Sequence, residues 1–352
     1  MSPVLSPADV LERVERDVRR AAQRGRNGLR YAAGTSRPKV GRTPKDVVWR
    51  HHKAELWRYR NDAVRHRPPV VIVHSLVSRS YVLDLYPGNS AIAFLLSQGL
   101  DVFLVDWGVA DEAEAANTLE TYSEGYLPEA IAAACEAAST DDVTLLGYCF
   151  GGVLSLLAAA RRPDLPIRNL VLMATPVDFT GMRAITALVR EGRLDPEDVI
   201  DSTGNVAPEA VENAFRLLKP TAEYSQYANL WQHLWNDEYM EGYQAMGQWT
   251  RDHVPFPGAA FRQTVEQLVR GNGLMDASVA DLSEITLPVL NVMAERDHIV
   301  PLAAAAPLAQ LIGQTEELRL AAGHVGLVAG RAAAKVTLPG IAGWIADHSE
   351  AL

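Results

Sequence analysis

Cysteine is scarce. Only Cys135 and Cys149 occur in 352 residues, too few for a disulfide framework, so each thiol is read singly. No uninterrupted apolar run approaches the ~18 residues of a membrane span. The opening MSPVLSPADVLERVERDVRR carries no apolar h-region after its charges, which speaks against a secretory signal and makes the cytoplasm the expected compartment. Neither H-E-x-x-H nor any other metal-ligand spacing is present, nor a G-x-G-x-x-G fingerprint or P-loop, so no metal and no bound cofactor are expected. The basic residues form one short stretch without interleaved aromatics, which argues against nucleic acid. Internal repeats and low-complexity tracts are also missing.

What is present has the composition of a globular protein, with 48% hydrophobic and 22% charged residues. The net charge of −10 is unevenly spread: residues 1–50 hold 12 Lys/Arg against 5 Asp/Glu, which leaves −17 for the remainder. This asymmetry marks residues 1–42 as a separate basic helical segment. Ser6, Pro7 and Asp9 read as N-cap, N1 and N3 of a helix, and Val10, Val14 and Val18 recur every four residues as an apolar stripe among arginines. The stripe suits either packing on the protein's own body or docking to a partner or amphiphilic surface.

From residue 46 onward, short β-branched runs alternate with helical spacing. A hairpin is expected over 46–60, then strands at PPVVIVHS (68–75), DVFLVDW (101–107), VTLLG (143–147), RNLVLMATP (168–176), LPVLNVMAE (287–295) and TEELRLA (315–321). Alternation of this kind predicts an α/β fold with a mostly parallel central sheet flanked by helices. Strand-like runs disappear between 177 and 282, where tryptophan, tyrosine and methionine accumulate in NLWQHLWNDEYMEGYQAMGQW. That segment is expected to be an inserted helical cap between two parts of the core, 43–176 and 283–352.

The chemistry concentrates in VTLLGYCFGGVLSLLAAA: a strand, then Gly147-Tyr148-Cys149-Phe150-Gly151-Gly152, then a helix. Small residues two before and two after the nucleophile let strand and helix approach closely, which a nucleophile elbow requires. Cys149 stands where serine does in G-x-S-x-G, at a helix N-terminus that favours a thiolate. The Phe150 N–H is the expected first oxyanion donor, with a second from the loop after the third strand, around Leu76 and Val77. Asp297 in AERDHIVP and His324 in AAGHVGLVAG each follow a strand, at spacings of 148 and 27 residues. This is the nucleophile, acid, base order of α/β hydrolases, with room for a cap before the acid. His74, at the end of the third strand, and Tyr148 are expected to border the substrate, with Trp231, Trp235 and Trp249 from the cap. Cys135, on an alanine-rich helix, reads as a small buried hydrophobe.

These residues resemble a known family. GYCFGG, RDHIVP and GHVGLVAG are similar to the cysteine box, acid loop and histidine loop of polyhydroxyalkanoate synthases. TPKDVVWRHHKAELWRYR, GLDVFLVDWG, LVLMATPVDF and DSTGNVAPE extend the likeness from about residue 43 to the C-terminus. The short N-terminal part makes the chain most similar to the catalytic subunit of the two-subunit class. Ser78-Arg79-Ser80 and Phe150 depart from that class's usual Asn-Arg-Pro and glutamine.

The resemblance implies an acyltransferase that polymerises (R)-3-hydroxyacyl-CoA, in the short-chain range of 3-hydroxybutyryl-CoA, into polyester. Coenzyme A would leave as a product through a thioester on Cys149. It implies that Asp297, with His324, helps activate the 3-hydroxyl. It also implies a homodimer, a separate non-catalytic subunit and a place at the surface of cytoplasmic polyester granules. The competing reading on the same fold is a cysteine-nucleophile thioesterase, esterase or intracellular polyester depolymerase.

Overall fold

The computed structural model describes residues 7–34, 38–218 and 230–352. Its frame is an eight-stranded sheet: β1 (Lys45–His51), β2 (Ala54–Tyr59), β3 (Val70–Val73), β4 (Val102–Asp106), β5 (Val143–Tyr148), β6 (Ile167–Met173), β7 (Val289–Ala294) and β8 (Thr315–Leu320). In space they run β1-β2-β4-β3-β5-β6-β7-β8. The β1–β2 hairpin and the β2–β4 pair are antiparallel, and every other neighbour pair is parallel. Strands β3, β5 and β7 are buried along their whole length. Their nearly unbroken apolar sequence follows from helices covering both faces, which leaves no solvent side for polar alternation.

One face of the sheet packs on α3 (Leu127–Ala138) and α4 (Phe150–Arg161), and the other meets α2 (Ala91–Ser97) and α8 (Leu338–Asp347). Pro128 opens α3, and Ser139 closes it in the left-handed conformation at φ 54°. The parallel strands all end at one edge of the sheet. Ligand crevices of open α/β sheets form outside that edge, and the segments after β3, β5, β7 and β8 converge on it.

Between β6 and β7 the chain leaves the sheet. Among the described residues, 177–282 contain α5 (Arg183–Arg190), α6 (Pro208–Leu218), α7 (Asp237–Trp249) and shorter turns, with a two-residue ladder pairing Asn205–Val206 to Phe256–Pro257. That small ladder has too few residues to give an alternating pattern.

Helix α1 spans Pro7–Ala32, and Ser6, read as its N-cap, lies outside the described residues. Its second half lies on the cap. The buried Asn27 amide donates to Leu234 O and to Asp237 Oδ1, both at 2.9 Å, and Gln23 reaches the same carboxylate. Tyr31 meets Tyr243 edge-on at 5.9 Å. The first half does not share this cover: Val10, Val14 and Val18 are 47%, 54% and 63% exposed. Of the two readings of the valine stripe, packing on the body of this chain is therefore the one that the structure does not support.

Candidate active site

Strand β5 ends at Tyr148, and α4 starts at Phe150, so Cys149 alone makes the turn. It does so at φ 56°, ψ −123°, a conformation that costs a non-glycine residue on the order of 1–3 kcal/mol and persists only where its surroundings hold it. The surroundings are glycines. A Cβ on Gly151 would collide with Val73 O at the end of β3, and one on Gly152 with the Thr175 side chain. The close approach at Gly151 brings the start of α4 against the loop that follows β3.

That loop carries His74, Ser75, Leu76 and Val77. Trp107 Nε1 donates to His74 O at 2.8 Å, and the His74 ring meets Ser78 Oγ through Nε2 at 3.1 Å. Burial pulls the His74 ring down to about 4, so it is neutral at physiological pH. Its Nδ1 is buried without a partner. Val77 N–H has only a long contact, 3.5 Å to Ser75 Oγ, and so retains donor capacity for an incoming oxygen. The cap grips the same loop: Ser78 bridges His253, His253 Nδ1 lies 3.3 Å from Val77 O, and Trp249 Nε1 donates to Arg79 O at 2.8 Å.

Asp297 and His324 come from the loops after β7 and β8. These loops are tied together by Arg296 N–H donating to Ala322 O at 2.9 Å. The Asp297 carboxylate is fixed through Oδ1, which accepts from the N–H groups of Ile299 and Val300 at 2.8 Å each. Its Oδ2 lies 2.7 Å from His324 Nδ1. Burial disfavours the imidazolium of His324, but the Cys149 sulfur and the Asp297 carboxylate outweigh it and lift the ring to about 10. Nδ1 is held by Asp297, which leaves Nε2 for Cys149 and for a reacting group. The Tyr148 hydroxyl donates to His324 O at 3.4 Å.

The structure thus brings Cys149, Asp297 and His324 together, with Phe150, Val77, His74 and Trp249 around them. Tyr148 is fully buried beneath the histidine loop, where it props that loop from below; its expected contact with substrate is corrected to this supporting place. Trp231 and Trp235 are corrected as well. The Arg20 guanidinium lies 4.2 Å over the Trp235 ring, and Trp231 is 67% exposed beside Arg24, so both face α1. Sequence reasoning missed Trp107 and the ties from Trp249 and His253 to the β3 loop. Nothing in the spacing of these residues signals contacts across 33 to 176 positions.

An elbow of this geometry, with its acid and base after the last two strands of the sheet, is the arrangement of an acyl-transferring or acyl-hydrolysing site. The family profile described as alpha/beta hydrolase fold matches residues 68–330. A curated relative from Allochromatium vinosum, named poly(3-hydroxyalkanoate) polymerase subunit PhaC, is 36% identical across 88% of this chain and 90% of its own length. The chain belongs to the poly(3-hydroxyalkanoate) polymerase subunit PhaC family, within the α/β hydrolase fold, and is an enzyme of the acyltransferase class. Relatives of the same name from Thiocystis violacea and Haloferax mediterranei are 35% and 31% identical, covering 88% and 99% of this chain and 90% and 73% of theirs.

Proposed function

We propose that this PhaC-family protein polymerises (R)-3-hydroxyacyl-CoA, in the short-chain range of 3-hydroxybutyryl-CoA, through a covalent thioester on Cys149. The observation that carries this reading is the elbow cysteine facing a histidine whose other ring nitrogen is held by a buried carboxylate. The Cys149 sulfur and the Asp297 carboxylate raise His324, which suits the ring to take up the proton that Cys149 gives up as it attacks.

In the first half-reaction Cys149 Sγ attacks the thioester carbonyl carbon. The developing oxyanion takes the N–H of Phe150 and, as second donor, that of Val77. Collapse breaks the bond to the coenzyme A sulfur, which leaves with the proton of His324. One thioester replaces another, so the acyl group stays activated. In the second half-reaction the neutral His324 accepts, at Nε2, the proton of the 3-hydroxyl of an incoming monomer or chain end. The hydroxyl oxygen attacks the acyl carbon, the ester forms, and Cys149 returns as thiolate. Asp297 keeps the Nδ1–H in place through both steps. Trp249 and the buried face of the cap keep water from the acyl-enzyme. The trio performs these steps without a cofactor or a metal, and coenzyme A enters only as part of the substrate.

The word subunit in the relatives' names and the uncovered valine stripe of α1 support a separate non-catalytic partner. A homodimer, and action in the cytoplasm at the surface of the polyester granule, belong to the same reading. The test is the product formed by purified protein from 3-hydroxyacyl-CoA substrates of roughly four to ten carbons. Polyester formed in step with thiol release supports the proposal. Free 3-hydroxy acid in equal amount to the thiol would replace it with a thioesterase.

A further inference from the structure

Besides the catalytic crevice, the structure holds a groove of about 900 Å³ between the end of α1, helix α7 and the loops at 85–89 and 329–330. Its size falls within the range of small-molecule sites. Tyr239, Tyr243 and Met246 line it from α7, at the four- and three-residue steps that a helix face requires, and Thr250 follows at the helix end. Tyr31 closes it from α1 and Tyr86 from the core. The opposite face of α7, with Ala245 and Trp249, is buried in the apolar cluster against which Cys149 packs. Leu85 and Ala329 belong both to that cluster and to the groove wall. The groove and the nucleophile thus lie on two sides of one apolar cluster. Ala329 also lies five residues beyond His324, on the same loop.

The lining chemistry is specific. Tyrosine rings and the amides of Gln244 and Gln248 place neutral polar groups among aromatic and methylene surface, and the described lining residues include no carboxylate and one cation, Arg251. A chain of aliphatic ester repeats presents one carbonyl acceptor per repeat, no donor except at its end, and apolar carbon between. Such a chain fits this wall. The phosphates of a coenzyme A moiety would require several cations, which the wall does not supply. We infer that this groove holds the growing polyester chain as it leaves Cys149, an inference that rests on the polymerase reading above.

Gly247 gives a direct test, because it lines the groove and a Cβ there would meet only the Arg251 guanidinium, at 3.7 and 3.8 Å. Gly247→Trp should therefore fold, with the ring plugging the groove, and Gly247→Ala should behave as wild type. The expected result for the tryptophan variant, at an unchanged melting temperature, is a first release of coenzyme A near the wild-type rate. Elongation rate and polymer length should fall roughly tenfold. Unchanged elongation and length in the folded variant would overturn the inference. So would an equal loss of the first release, which would make the groove an entrance for the thioester. A second measurement uses the unaltered protein: after several turnovers, oxidative footprinting should show Tyr31 and Tyr243 protected relative to protein without substrate, and unchanged labelling of both would count against the groove. Failure of the polymerase reading itself is seen separately, as free acid from the wild type before any variant is made.

Discussion

Asp297 Oδ2 lies 2.7 Å from His324 Nδ1, and its Oδ1 is already saturated by two backbone N–H groups. The carboxylate cannot rotate away without leaving the Ile299 and Val300 donors unpaired. It therefore fixes both the tautomer and the direction of the imidazole.

Asparagine at 297 can keep Oδ1 in place, but it would turn an NH₂ group toward Nδ1. Nδ1 would then have to accept, leaving the proton on Nε2 and removing the base that the hydroxyl step needs. Cys149 is expected still to be acylated in Asp297→Asn and to release a first burst of coenzyme A. Elongation should fall by roughly 10²–10⁴-fold. Rapid-quench measurement of both phases checks this, and an equal loss in the two would assign Asp297 to orienting His324 for acylation.

Two buried histidines give stability pH limbs of opposite sign. His74 is pulled below its unfolded value, to about 4. Its contribution is present above about pH 6.5 and is lost as pH falls through 4, by about 3 kcal/mol on full protonation. His324 is raised to about 10, so its contribution is present below about 6.5 and is lost as pH rises through 10. The melting temperature of His74→Gln should accordingly fall less than that of wild type between pH 7 and pH 5. Equal acid slopes for the two proteins would mean that His74 does not carry the acid limb; His253, also lowered by burial, adds to both.

Gly151 has no room for a side chain, since a Cβ would overlap Val73 O. Gly151→Ala must push α4 away from β3, which costs roughly 1–3 kcal/mol or more and separates Phe150 N–H from Val77. Loss of activity with a lowered melting temperature is the expected outcome. Full activity would show that the two oxyanion donors do not need this approach.

The halves of α1 should respond differently to truncation. Removing residues 1–19 takes away exposed valines and leaves Asn27 and Tyr31 on the cap, so the melting temperature should stay within about 2 °C. Removing residues 1–34 uncovers Leu234 and leaves its carbonyl without the Asn27 donor. That deletion should lower the melting temperature by several degrees, a difference that thermal denaturation of the two proteins resolves.

The sheet was legible because its strands are short apolar runs set off by turn residues, and each expected strand from 46 to 321 is present at its place. Cys149, Asp297 and His324 were legible because each follows a strand, so that their order in the chain predicts where they meet. Trp249, from an aromatic-rich cap, holds the loop after β3 through Arg79 O, but Trp231 and Trp235 share that composition and face α1 instead. Composition does not say which side of a helix is covered by a segment 200 residues away. Tyr148 shows the same limit: its neighbour is the nucleophile, yet the strand's alternation sends its ring below the sheet edge, under His324.

The central claim is that Cys149 carries the acyl group. It is tested most directly by intact-mass and peptide analysis of protein quenched during turnover of 3-hydroxybutyryl-CoA. The account predicts an added 3-hydroxybutyryl group, or a short oligomer of it, on the peptide containing Cys149, lost with hydroxylamine and missing in Cys149→Ala together with coenzyme A release. Coenzyme A release at the wild-type rate by Cys149→Ala, or an adduct on another residue, would contradict it.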